Sequence, residues 1–317
     1  MSDNTGIVIR NTGAHYVVRL HGTHAEVKCK MAGSYRIRGI RITNPVAVGD
    51  EVTITPTNTG EIAFIKDIKP RRNYIIRRAS NLSKEAHIIA SNIDRAMLVA
   101  TLAHPSTSTT FIDRFLATAQ AYDVPAILVI NKIDILADDP DNAELLDAVT
   151  HLYRSIGYTV VAVSAATGEG FDTLRQELAS KVTLLSGNSG VGKSSIINRL
   201  IPGLNLRTAA ISDAHDTGMH TTTFSEMYDL DGGGAIIDTP GIRGFGTIDF
   251  DRNEVAHFFP EIFELSKECR FRNCTHTHEP GCAVLEALAD CRIAQSRYAS
   301  YMSILDDADQ EKYRKGY

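Results

Sequence analysis

One stretch restricts the possible folds more than any other: TLLSGNSGVGKSSI, residues 183–196. An apolar, strand-like run leads into a glycine-rich turn and then into a helix start. GNSGVGKS fits G-x-x-x-x-G-K-[ST], with Gly187, Gly192, Lys193 and Ser194 at the fixed positions. The glycines let successive backbone N–H groups converge on phosphate oxygens. The helix that follows adds the partial positive charge of its N-terminus. In such a loop Lys193 bridges the β- and γ-phosphates and the Ser194 hydroxyl ligates Mg²⁺. Asn188, Ser189, Gly190, Val191 and Ser195 complete the expected cradle. Such a loop normally opens its domain, yet here almost two hundred residues precede it, and NKID stands upstream at 131–134.

Alternation of apolar strands and amphipathic helices runs from residue 95 to the loop. RAMLVATLA (95–103), PAILVINKID (125–134), YTVVAVSA (158–165) and KVTLLSG (181–187) have strand character. TFIDRFLATAQAYD (110–123), NAELLDAVTHLYRSIG (142–157), FDTLRQELAS (171–180) and KSSIINRLI (193–201) have helical spacing. This alternation predicts one α/β domain with a parallel sheet covered on both faces.

NKID ends one of these strands. Asp134 there can accept two hydrogen bonds from guanine, at N1–H and the exocyclic amine; adenine lacks that donor pair. Asn131 is expected to hold the loop and reach the purine, Lys132 to lay its stem over the ring, and Ile133 to complete the motif. SAATGEG (164–170) also follows a strand, so Ser164 and the Ala165 N–H are candidates for contact with the guanine carbonyl. After the apolar AII comes DTPG (238–241), where Asp238 can hold Mg²⁺ through water and the Gly241 N–H can meet the γ-phosphate. Between the phosphate loop and DTPG lies a 22-residue stretch, 202–223, ending in GMHTTT. Long loops in compact domains tend to be functional. Thr222 is the favoured threonine to join Ser194 and Asp238 around Mg²⁺. Ile242 follows DTPG, where many GTPases carry a water-orienting glutamine. Catalysis must then borrow another group, and His220 is the candidate.

The first eighty residues differ in character. GIVIRNTG, HYVVRLHG, HAEVKC, YRIRGI, DEVTITPT and EIAFIKDI are β-rich and punctuated by turn residues, which predicts a small barrel such as an OB-fold. Net charge over the chain is -5, but residues 1–80 carry 13 Lys+Arg against 6 Asp+Glu, and the remainder 20 against 32. A basic barrel ahead of an acidic body suggests a polyanionic partner. Arg71, Arg72, Arg77 and Arg78 read as a basic exit linker. Tyr16, Tyr35 and Phe64 are a thin aromatic supply for stacking bases.

Five cysteines are an odd number for a disulfide framework, and three of them crowd into CRFRNCTHTHEPGC. Cys269, Cys274 and Cys282, with His276 or His278, offer three thiolates and an imidazole, the donors of a closed structural zinc site. Cys29 reads as strand packing, and Cys291 as a small hydrophobe in a helix. No apolar run approaches a membrane span and no signal-peptide pattern opens the chain, so a cytoplasmic location is expected. No coiled coil or dedicated dimer face is legible, so a monomer is expected.

NTGAHY, NKID, GNSGVGKSS, HTTT, DTPG and CRFRNCTHTHEPGC together resemble one family, the bacterial ribosome-small-subunit-dependent GTPase A family of circularly permuted GTPases. The resemblance covers nearly the whole chain. It implies an OB-fold RNA-binding barrel (1–72), a circularly permuted P-loop GTPase domain (73–249) and a small helical zinc-binding domain (250–317). It also implies GTP hydrolysis stimulated by the 30S subunit, contact with 16S rRNA and a role in late maturation of that subunit. GTP and GDP are the expected small ligands, with Mg²⁺ beside GTP; no membrane and no DNA partner is expected. The family pattern selects His276 as the fourth zinc ligand, one ion per chain, and implicates the switch histidine, His220. Where that pattern reads GRHTTT this chain has Met219, which puts any role of the arginine in doubt. A nucleotide-gated RNA-binding protein with negligible turnover is the alternative that Ile242 keeps open. Because the phosphate-sensing end runs through GIRGFGTIDF into the zinc domain, the GTP state is expected to hold barrel and zinc domain in a subunit-binding arrangement.

Overall fold

The computed structural model describes residues 4–13, 15–31, 45–57, 62–78, 86–136, 140–206, 225–239 and 250–314. Strands β1 (Thr5–Asn11), β2 (Tyr16–Leu20), β3 (Glu26–Met31), β4 (Glu51–Thr55) and β5 (Ala63–Ile68) close into a barrel. The order around it is β1-β2-β3-β5-β4, with β4 returning to β1 through the Thr5↔Thr53 to Ile7↔Glu51 register. Period-two alternation drives this closure. Val8, Val18, Cys29, Val52, Ile54 and Ile65 point inward and are buried, so Cys29 is packing, as expected. The strand read at YRIRGI lies outside the described residues.

Ile9 and Val17 sit on the opposite face of the same two strands. They are buried against the α/β domain rather than in the barrel. Between the two bodies lies a hairpin, β6 (Tyr74–Arg78) and β7 (Ala86–Ser91), which supplies Ile75, Ile89 and Ala90 to that shared core. The basic exit linker is therefore corrected. Arg71 chelates the fully buried Asp50 carboxylate through Nε and Nη2, both at 2.7 Å, and Arg72 pairs with Asp94. Ser91 Oγ donates to the same Asp50 carboxylate at 2.5 Å. These arginines lock a joint between barrel, hairpin and α/β domain.

The α/β domain holds β8 (Arg95–Ala100), α1 (Thr109–Ala121), β9 (Ala126–Ile130), α2 (Pro140–Ile156), β10 (Thr159–Ala162), α3 (Phe171–Leu178), β11 (Val182–Ser186), α4 (Lys193–Leu200), β12 (Glu226–Asp229) and β13 (Ala235–Asp238). Its sheet runs β10-β9-β8-β11-β13-β12, parallel except for the β12–β13 pair. Near-continuous apolar runs such as Met97–Ala100 and Ile127–Ile130 fit strands buried on both faces. The sheet does not stop at β12: β1 pairs antiparallel with it, Arg10 opposite Glu226, so barrel and α/β domain share one eleven-stranded ladder. Arg10 and Arg19 of the barrel pair with Glu226 and Asp229 across the seam.

Beyond residue 250 come α5 (Pro260–Ser266), α6 (Ala283–Ala289) and α7 (Gln295–Arg314) around the cysteine cluster. Cys291 is exposed past the end of α6, not helical packing as read from the sequence. Ala117 of α1 enters the apolar core of this C-terminal unit. At the contact Arg297, 1% exposed at its side chain, donates to Asp113 Oδ1 of α1 at 2.7 Å and to both Glu261 oxygens at 2.6 and 3.0 Å. Tyr153 Oη donates to the same Asp113 oxygen at 2.7 Å, and the guanidinium lies over Phe259. Burial outweighs the arginine's charge and holds the Asp113 carboxyl above its usual range. Removing one member of such a cluster leaves the others buried and uncompensated. Arg297→Met is expected to destabilise the chain by about 3–5 kcal/mol, read as a lowered urea midpoint; an unchanged midpoint would remove the cluster from the joint.

Candidate nucleotide-binding and metal sites

The phosphate loop joins β11 to α4 at the centre of the sheet. Two of its glycines are required by close approach. At Gly187 (φ +147°) a Cβ would lie 2.4 Å from the Val99 carbonyl oxygen, and at Gly192 (φ +93°) 2.3 Å from Asn131 Nδ2. Lys193 folds over the loop, its Nζ donating to the Gly187 and Asn188 carbonyls at 2.7 Å each. Burial pushes the Lys193 ammonium down, while the Asp238 charge works the other way. Asp238 ends β13 beside β11, opposite Leu185. Its carboxyl is pushed up by burial, against the opposing pull of Lys193, and Oδ1 is buried without a hydrogen-bond partner among the described residues. A carboxylate oxygen left in that condition suits a nearby hydrated cation. Ser194 and Ser195 open α4, and Val191 is fully buried.

NKID and SAATGEG, the segments expected to contact the base, follow β9 and β10, with β8 standing between β9 and β11. Asn131 follows β9 and is 1% exposed. Its Nδ2 donates to the Val191 carbonyl at 2.8 Å, and its Oδ1 accepts the Ala165 N–H at 3.1 Å. One side chain thus staples the phosphate loop to the SAATGEG loop after β10. Lys132 adopts a left-handed conformation (φ +66°) and its Nζ donates to the His104 carbonyl at 2.5 Å. Ile133 begins a short 3₁₀ turn, its N–H donating to Val163 at 3.3 Å. Ser164, fully buried, donates from Oγ to Asp134 Oδ1 at 2.6 Å. Asn131, Lys132, Asp134, Ser164, Ala165 and the 187–195 loop therefore converge on one end of the sheet. His220, Thr222, Gly241 and Ile242 lie outside the described residues.

The second cluster is at the far end of the chain. One ligand atom from each of Cys269, Cys274, His276 and Cys282 lies within 4.8 Å of the others. His276 Nδ1 stands 3.4 Å from Cys282 Sγ and 3.6 Å from Cys269 Sγ, and the two sulfurs are 3.9 Å apart. Tetrahedral zinc–thiolate bonds of about 2.3 Å separate their sulfurs by about 3.8 Å, so the donor set fits zinc. Burial pushes the Cys274 thiol up to about 12 and lowers the His276 imidazole, against the opposing charge of Glu279; a dication favours the thiolates and the neutral imidazole. His278 is outside the cluster, its Nδ1 2.7 Å from Thr277 Oγ1. The outer support was not legible in the sequence. Tyr298 and Tyr301 of α7 donate their hydroxyls to the His276 and Thr275 carbonyls at 2.7 and 2.8 Å. The Glu279 carboxylate takes N–H groups of Thr275 and Thr277.

Strand order, phosphate loop and base-reading loops define a circularly permuted P-loop GTPase, with its base-reading strands placed before its phosphate loop. The family model described as RsgA GTPase matches residues 68–248. A Porphyromonas gingivalis protein named small ribosomal subunit biogenesis GTPase RsgA is 60% identical, covering 98% of this chain and 99% of its own length. A Bacteroides fragilis protein of the same name is 55% identical over 98% and 99% of the two chains. Among solved structures, YjeQ from Thermotoga maritima superimposes with TM-score 0.76 at 32% identity, covering 96% of this chain and 98% of its own. YloQ, described as a circularly permuted GTPase, gives 0.72 at 30% identity over 96% and 95%. The chain belongs to the RsgA GTPase family and is a GTP hydrolase.

Proposed function

We propose that this GTPase acts in late maturation of the small ribosomal subunit, hydrolysing GTP to GDP and phosphate under stimulation by the 30S particle and touching 16S rRNA. The observation that carries the nucleotide half is the Asn131 staple, which registers a guanine-reading loop against a phosphate cradle. The ribosomal half is supported by the relatives' name and by the barrel. Phe64 is 42% exposed and lies opposite Lys30 on the β3–β5 pair, with Lys28 and Lys66 exposed on the same two strands. Cations flanking an exposed ring suit a phosphate backbone with an unstacked base. Tyr16, by contrast, is buried.

In this reading the amides of 187–193 and Lys193 bind the phosphates, and Asp134 reads the guanine edge. Ser194, Thr222 and Asp238 hold Mg²⁺, which supplies charge neutralisation at the β- and γ-phosphates when bound. His220 is proposed to orient the attacking water, since Ile242 cannot. Cys269, Cys274, His276 and Cys282 hold one structural zinc. The protein is proposed to be a cytoplasmic monomer; no described helix is long and apolar enough to cross a membrane.

The test is GTP turnover with and without 30S subunits. Addition of subunits is expected to raise the rate by at least tenfold, and His220→Ala to remove about 10²–10⁴ of the stimulated rate, the range of a positioned general base, while GTP affinity holds. A slow rate indifferent to subunits would refute the proposal in favour of nucleotide-gated RNA binding. A His220→Ala rate equal to wild type would remove His220 from the chemistry.

A further inference from the structure

The loop after β10 is gripped from two sides. On the NKID side, Asn131 takes the Ala165 N–H, and Ser164 takes the Thr167 N–H on Oγ at 3.1 Å and the Gly168 N–H on its carbonyl at 2.8 Å. On the other side stands Arg199, in the last turn of α4. Its Nη1 donates to the Ala165 and Ala166 carbonyls, both at 3.3 Å, and its Nη2 to the Thr167 carbonyl at 2.7 Å. The guanidinium lies over the Phe171 ring, 5.5 Å from its centroid, and Arg175 covers the same ring while donating to the Arg199 carbonyl. The loop leaves room for it: at Gly168 (φ +96°) a Cβ would stand 2.1 Å from Arg199 Nη2. None of the roles assigned above uses this arginine.

A trans peptide unit points its C=O and N–H in opposite directions. Carbonyls 165, 166 and 167 turned toward the guanidinium therefore set the N–H groups of 166, 167 and 168 toward the opposite side, where Ser164 takes those of 167 and 168 and, among the described residues, that of 166 has no acceptor. A full positive charge at the carbonyl end also polarises each unit and strengthens its N–H as a donor. We propose that Arg199 is a positioning residue for guanine recognition: by holding the Ala165 carbonyl it aims the Ala166 N–H at the purine's 6-carbonyl. Because α4 begins at Lys193, the same side chain ties that alignment to the phosphate loop. The proposal rests on assigning NKID and 164–170 to the base.

Three nucleotides separate these contacts. GTP offers the whole edge. 6-Thio-GTP keeps N1–H and the 2-amine but replaces the 6-oxygen by sulfur, a poor acceptor. ITP keeps the 6-oxygen and lacks the 2-amine that Asp134 reads. Dissociation constants are measured for the full-length chain and for Arg199→Met. The native chain is expected to prefer GTP over 6-thio-GTP by about tenfold, the worth of one good hydrogen bond. Arg199→Met is expected to shrink that preference to about twofold, leaving the GTP-to-ITP ratio unchanged. Arg199→Gln repeats the measurement should the methionine variant fold poorly. If both ratios shrink together, Arg199 only holds the loop's fold, and if neither moves it does nothing for the base; either result overturns the proposal. Asp134→Asn tests the underlying assignment separately. It is expected to lose GTP and to gain xanthosine triphosphate, and unchanged GTP binding would overturn the assignment whatever Arg199 does.

Discussion

Lys193→Ala is expected to weaken GTP binding by about 10²–10⁴-fold, because two hydrogen bonds from a charged donor are worth about 1.5–3 kcal/mol each. The ammonium is held over the loop by the Gly187 and Asn188 carbonyls at 2.7 Å, so it needs little reorganisation to meet phosphate oxygens. Burial works against its charge, and Asp238 only partly offsets that. A triphosphate supplies the missing counter-charge, which raises the value of this contact above that of an exposed ion pair. The fold should survive the change, since the Lys193 ammonium bonds two carbonyls of its own loop. Calorimetric titration of GTP into a variant with native circular dichroism is the measurement. Affinity within a factor of three of wild type would mean that the triphosphate does not lie in this loop.

The second large effect concerns the cysteine cluster. Stripping its metal, or Cys282→Ala, is expected to unfold the C-terminal unit, since structural zinc sites contribute about 10–16 kcal/mol of apparent folding free energy in isolated fingers. Cys282 is itself part of the apolar core of that unit, with Phe259, Ile262 and Ile304, and the half-buried Cys269 and Cys274 pack against it. The damage should travel along α7. Tyr298 and Tyr301 would lose the carbonyls that they cap, and Arg297 its fixed place against Asp113 of α1. Metal content, expected at one zinc per chain, and hydrogen exchange across 250–314 read the two halves. A metal-free chain with exchange protection intact through α7 would overturn the assignment.

The chemistry of this chain was legible wherever it depends on spacing. GNSGVGKS, NKID, SAATGEG and the cysteine run each place a few residue types at fixed intervals, and the structure brings them to one end of the sheet or into one cluster. What stayed hidden was charge used inside the protein. Arg71, Arg199 and Arg297 look like solvated residues in a one-dimensional pattern, because arginine in a helix or linker is ordinarily exposed. Each instead spends its planar fork on carbonyls or carboxylates far away in sequence. The β6–β7 hairpin was masked for a related reason: Ile75 and Ile76 sit between pairs of arginines, and only the shared core shows why Ile75 is fully buried. The Tyr298 and Tyr301 hydroxyl bonds depend on helix docking, which no local pattern encodes.

The seam where β1 meets β12 has a further implication for how such a protein can be divided. An α/β sheet of this kind ends in an unpaired strand, a row of open amides and carbonyls that invites foreign chains. Here the barrel covers part of that border, with the Asn11 N–H bonded to the Ser225 carbonyl at 3.1 Å and Arg10 facing Glu226. Cutting the chain between barrel and catalytic body would therefore not yield two self-sufficient pieces. It would strip a cap from one and bare Ile9 and Val17 on the other, turning an internal junction into two sticky surfaces.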